Sequence, residues 1–135
     1  MVELIVTMVI VGILAVAVIP RFETLSAFDA RGFRDQTLST LRFAQKIALA
    51  QRRAVCVTTS NTGVTLKVAS TATDNNACDD GVAFTLPFQA KPGTGLEVRS
   101  FNYLRQGETD QSSDITLTIT GATTITVDYL TGHAR

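Results

Sequence analysis

Leu4-Ile-Val-Thr-Met-Val-Ile-Val-Gly-Ile-Leu-Ala-Val-Ala-Val-Ile19 is an uninterrupted apolar run, headed by Glu3 and closed by Pro20-Arg21-Phe22. Read as a helix over residues 2–19, it rises about 27 Å, just short of the ~30 Å of a bilayer's hydrocarbon. The run is apolar on every face, whereas a helix packed on a small sheet shows a polar side. The expectation is therefore a segment made for lipid or for a lipid-like protein core. A cleaved secretory signal is the competing reading, since Ala15-Val16-Ala17 has the small-x-small form of a cleavage site. It lacks the basic n-region such signals carry, because the only early charge is the acid Glu3.

A carboxylate entering hydrocarbon costs several kcal/mol unless it is paired or reaches the interface, which makes Glu3 a functional candidate. A plainer reading also stands: two residues from the end, Glu3 lies in the headgroup layer and complements the positive end of the helix.

The chain has 135 residues, 45% hydrophobic and 18% charged, which suits one globular unit plus an anchor and is too apolar for disorder. Twelve Lys+Arg balance twelve Asp+Glu, so no general attraction to nucleic acid or anionic lipid follows from net charge. Cys56 and Cys78 enclose a polar loop with no neighbouring His or further Cys. A disulfide in an oxidising compartment is the expectation, unlinked thiols the alternative.

Beyond Pro20 a second helix is predicted from about Asp29 to Arg53. Leu38, Leu41, Ala44 and Ala48 form its apolar stripe, and Phe43, Ile47 and Ala50 widen it. Pro20 is expected to bend the rod rather than end it, with Gly32 a second soft point. Arg42 and Lys46 lie four apart on the outer face, and Arg52-Arg53 close the helix where cations suit its dipole.

The period then changes from helical to alternating. Val55–Thr59, a turn at Asn61-Thr62-Gly63 and Val64–Val68 read as a hairpin. Thr71 to Gly81 is a polar loop carrying Cys78, Val82–Phe88 and Leu96–Tyr103 are predicted strands, and Arg105–Ser113 is a loop. Ile115, Leu117 and Ile119 alternate with threonines, then Gly121-Ala122 turns into Ile125, Val127 and Tyr129.

The fold class is thus α+β. A long N-terminal helix, apolar in its first half and amphipathic in its second, packs on an antiparallel β domain. The division falls at residues 1–22 for the apolar segment and 23–135 for the rest.

No catalytic constellation is visible. His133 is the only histidine and sits near the C-terminus, in what reads as a mobile tail. Asp74, Asp79 and Asp80 lack the spacing of a calcium loop, and no phosphate-binding glycine motif occurs. The reading is of a non-enzyme with no cofactor and no metal.

Val2-Glu3-Leu4-Ile5-Val6, Gly12-Ile13-Leu14-Ala15 and Ile19-Pro20-Arg21-Phe22 together resemble the N-terminus of type IV pilins and type II secretion pseudopilins. Leu38 to Arg53 before a Val-Cys-Val strand, and the ending Ile125 to His133, are similar to minor pseudopilins of the GspH/FimT type and to minor subunits of MSHA-type pili. The pattern departs at its start. Met1 stands where the family has Leu, and the Gly-Phe-Thr motif with its basic leader is not in the sequence. A basic leader upstream would also reconcile orientation. As given, Arg21 after the span and Glu3 before it place the β domain in the cytoplasm by the positive-inside rule, against the cysteines.

The resemblance implies a single pass through the inner membrane with the domain in the periplasm. It implies processing by a prepilin peptidase, an assembly platform, and other pilin or pseudopilin subunits as partners. It assigns filament assembly to Glu3, Gly12 and Pro20. The function implied is a structural minor subunit of a type IV (MSHA-like) pilus. The alternatives are a pseudopilin of the type II secretion piston and a pilus-tip subunit that binds DNA. The last rests on a basic Gly-Arg-x-Arg element of FimT-like relatives, which Gly132-His133-Ala134-Arg135 matches in part, leaving His133 and Arg135 for a weak, salt-sensitive contact.

Overall fold

The computed structural model describes residues 1–18, 21–71, 78, 81–85 and 88–135. Helix α1 runs Val2–Val18 and α2 runs Arg21–Gln51. Pro20, and with it the expected bend, lies outside the described residues, as do Asp74, Asp79 and Asp80. The second helix starts eight residues before the predicted Asp29, because Phe22 to Ala27 contains no glycine or proline to stop it. Among the described residues six strands follow: β1 Val55–Ser60, β2 Gly63–Val68, β3 Val82–Thr85, β4 Ser100–Tyr103, β5 Ile115–Leu117 and β6 Ile125–Val127.

The sheet is antiparallel in the order β3-β2-β1-β4, with β5 and β6 pairing as a separate ribbon. The expected hairpin forms with Ser60 opposite Gly63 and Val55 opposite Val68, so Val55, Val57 and Thr59 share one face with Val64, Leu66 and Val68. That face is the buried one. An isolated bridge between Leu96 and Ile119 joins the ribbon to the segment before β4. The predicted strand at Leu96–Tyr103 is real but shorter, as β4, and that at Val82–Phe88 is present as β3, with residues 86 and 87 outside the described residues.

Helix α2 covers the inner face through Ala30, Phe33, Thr37, Leu41, Ala44 and Ala48, all buried. Alanines at 44 and 48 leave little side chain between helix and sheet, so the covered strip is narrow. For that reason the predicted widening fails on two of three residues: Phe43 and Ala50 are exposed, while Ile47 is half-buried against the core. Leu38 is half-buried too. Phe33 meets Phe88 edge to face at 5.8 Å, and Phe101 meets Tyr103 at 5.5 Å.

Buried threonines are tied in by hydrogen bonds. Thr37 donates to the Phe33 carbonyl one turn back at 2.9 Å, which lets a hydroxyl sit inside the helix interface. The Thr59 hydroxyl donates to the Glu97 carbonyl at 2.6 Å and accepts from the Arg99 amide at 2.7 Å, fastening β1 to the chain before β4. The Cys56–Cys78 disulfide is present, with Cα atoms 6.1 Å apart.

Among the described residues no helix is long and apolar enough to cross a membrane. The 17 described residues of α1 rise about 26 Å.

Candidate functional site

Helix α1 owes its helicity to unbranched and small residues among its valines and isoleucines, with Glu3 in its first turn, where an acid complements the helix dipole. Its side chains have no core to enter. Met1, Val2, Leu4, Ile5, Val6, Met8, Val9, Ile10, Val11, Ile13 and Leu14 are each at least 49% exposed. These positions wrap the whole circumference of the helix. Contiguous apolar surface of this kind marks a site of association with lipid or protein.

Glu3 is exposed and, among the described residues, takes part in no ion pair. A side chain built at Gly12 would meet nothing within 4 Å, so nothing among the described residues requires a glycine there. Thr7, the one hydroxyl of the run, donates to the Leu4 carbonyl at 2.9 Å and so presents no unbonded donor to an apolar neighbour.

The C-terminal segment is not the mobile tail that was expected. Val127 bridges Ala134, and Thr126 and Arg135 exchange both backbone hydrogen bonds at 2.9 Å, so the last residues form a short added strand beside β6. The turn between them is organised by Asp128. Its carboxylate accepts from the Thr131 amide at 2.8 Å, the Thr131 hydroxyl at 3.0 Å and the Leu130 amide at 3.0 Å. These donors, the Thr131 amide foremost, hold its carboxyl below the usual carboxylate range. Glu97 is lowered likewise, first by the Thr118 amide and then by Arg99.

A flank of α2 grips this segment. Arg34 donates to the Thr123 carbonyl at 3.1 Å, Arg42 to the Ala134 carbonyl at 3.1 Å, and Gln45 to the Thr131 and Gly107 carbonyls at 2.6 and 3.3 Å. Arg42 therefore serves the fold as well as the outer basic face, which its spacing from Lys46 did not reveal. Alternation along the added strand buries Gly132 and Ala134 and exposes His133 and Arg135. The two residues proposed for nucleic-acid contact thus point outward together.

Among the described residues no group of three or more His, Cys, Asp or Glu is placed to hold a metal ion. Comparison of the chain with family models, with curated proteins and with solved structures gives no match.

Proposed function

We propose that the chain is a structural subunit of a pilus-like filament, of the minor pilin or pseudopilin kind. The observation that carries this reading is the bare apolar circumference of α1, headed by a lone acid. In such a role the helix waits in lipid and then leaves it to pack among the equivalent helices of other subunits. Little hydrophobic free energy changes on that exchange, because both surroundings are apolar.

Register in the bundle then needs a polar signal, and Glu3 supplies it by facing a neighbour's N-terminal amine in a low-dielectric core, where the attraction far exceeds its value in water. Gly12 keeps one side of the rod slim enough for close approach of a neighbouring helix.

The test is Glu3→Ala in the producing cell. The variant is expected to accumulate folded and membrane-held, and to be missing from sheared filaments. Its normal incorporation would refute the assignment.

A further inference from the structure

The sheet has two edges, and they are treated differently. At β4 the Asn102 amide donates to the Asp110 carboxylate at 2.9 Å, the Asp110 amide donates to the Asn102 carbonyl at 3.0 Å, and Tyr103 bridges Thr109. The chain beyond β4 thus folds back and covers that edge. β3 ends the sheet on the other side, and among the described residues no strand pairs with its outer edge.

The ladder fixes which groups of β3 face outward. Ser60 and Gly63 flank the two-residue turn Asn61-Thr62, so they close the hairpin as a hydrogen-bonded pair. Alternation then turns the backbone groups of Gly63, Thr65 and Lys67 toward β1, and those of Val64, Leu66 and Val68 toward β3. Leu66 lies opposite Phe84 and Val68 opposite Val82, so Phe84 and Val82 direct theirs to β2. Ala83 and Thr85 are left with amide and carbonyl pointing out of the sheet, with no partner for them among the described residues.

Exposed edges template pairing with another chain and are normally blunted by Lys, Pro, a bulge or a covering segment. Val82-Ala83-Phe84-Thr85 has no charge and no proline, and it pairs with β2 without a bulge. Phe84 and Val82 share the inner face with Leu66 and Val68 yet stay 51% and 65% exposed, beyond the narrow strip that α2 covers.

This strand is its own complement. In a two-fold antiparallel pairing centred on Phe84, Ala83 exchanges both bonds with Thr85 of the second copy, and Thr85 with Ala83, so every outward group of β3 is satisfied. Phe84 then meets Phe84 of the second copy at a non-hydrogen-bonded position, where side chains approach closest and an aromatic pair is favourable. A charged peptide would find no counter-charge on β3. The paired rings and their neighbours cover a few hundred Å², below the ~1,200 Å² of a stable complex, so the contact is weak and forms where copies are held close.

We propose that β3 is a homotypic docking edge, through which two copies of the chain join their sheets into one continuous antiparallel sheet about an axis at Phe84. The edge is separate from α1, so it stands whether or not the chain forms filaments.

The experiment is oxidative cross-linking of the full chain in nonionic detergent, with copper phenanthroline and a non-reducing gel. In Phe84→Cys the two Cα atoms lie about 4.5 Å apart across the axis, within disulfide reach, and a cross-linked dimer is the main product expected. In Ala83→Cys they lie about 8 Å apart, from a rise of ~3.4 Å per residue and a strand spacing of ~4.8 Å, and about fivefold less dimer is expected. Adding Ala83→Pro to Phe84→Cys removes an outward donor that the sheet itself does not use. Dimer yield is then expected to fall about fivefold while the melting temperature stays within about 2 °C. Equal dimer from Phe84→Cys and Ala83→Cys, the result of collisions driven by α1, overturns the proposal. So do dimer from Ala83→Cys alone, no dimer from either, and a yield that the proline leaves unmoved.

Discussion

Gly132→Ala is the sharpest test of how the C-terminal segment is held. Gly132 has φ +67°, and a Cβ there would fall inside the van der Waals shell of the Gly107 carbonyl oxygen and lie 3.0 Å from Gln45 Nε2. The left-handed conformation costs an alanine about 1–2 kcal/mol on its own. The clash is with backbone, so either the turn ending at Gly107 or the strand beside β6 must move. Either motion strains the two hydrogen bonds from Gln45, each contributing about 1 kcal/mol. The sum is about 3–4 kcal/mol.

Gly93 provides the control. Its φ is +87°, yet an added Cβ meets nothing within 4 Å, so Gly93→Ala carries the conformational cost alone, about 1–2 kcal/mol. In thermal unfolding followed by far-ultraviolet circular dichroism, at roughly 4 °C per kcal/mol, Gly132→Ala should melt about 8 °C below Gly93→Ala. Equal melting points for the two variants would show that the contact with Gly107 carries no weight, and the account of a pinned C-terminus would fail with it.

Two further outcomes follow from the same structure. Reduction of Cys56–Cys78, which lie 22 residues apart, should lower stability by about 3 kcal/mol by freeing the unfolded loop; denaturant unfolding with and without reductant measures it, and a loss below ~1 kcal/mol refutes it. The Tyr103 hydroxyl is fully buried with no hydrogen-bond partner among the described residues, and burial pushes its pKa up, well above the usual phenol value near 10. Its proton is thus lost first from the unfolded chain, so the stabilising effect is complete below pH ~10 and fades as pH rises above it, by up to ~1.4 kcal/mol per unit. Tyr103→Phe should remove that fraction of the alkaline loss and, by deleting an unpaired hydroxyl, leave neutral-pH stability equal or higher. Urea unfolding of both chains at pH 8 and 11 decides, and identical pH dependence overturns the reading.

Much of the β domain was legible because alternation and burial coincide residue by residue. Val55 to Val68 reads as a hairpin and forms one, Cys56 finds Cys78, and Ile115, Leu117, Ile125 and Val127 all face inward. What escaped depends on distance between elements rather than on pattern. Hydrophobicity alone puts Phe43 on the inner stripe, but the narrow seam at Ala44 and Ala48 leaves it outside. Burial of Thr37, Thr59 and Thr109 has no sequence signal, since each hydroxyl finds a carbonyl supplied by chain geometry. The tail read as mobile because nothing in Gly132 to Arg135 announces a strand; its order comes from Arg42 and Gln45, more than 80 residues away in sequence.

The N-terminal helix obeys a separate logic. Every buried apolar residue described lies between Ala30 and Ala134, so the domain closes its core without any contribution from residues 1–15. Apolar side chains that the fold does not use are not neutral decoration, since ten large ones on a single exposed helix promote association. On the function proposed above, their environment lies outside the chain, and the all-round distribution fits one that surrounds the helix better than one that touches a single face. A groove on a partner would select a stripe and tolerate polar residues opposite it. Lipid, or the ring of equivalent helices proposed above, would instead favour an apolar surface all round. Because α1 and the domain share no core, effects of substitutions in the two should add when combined, within about 0.5 kcal/mol.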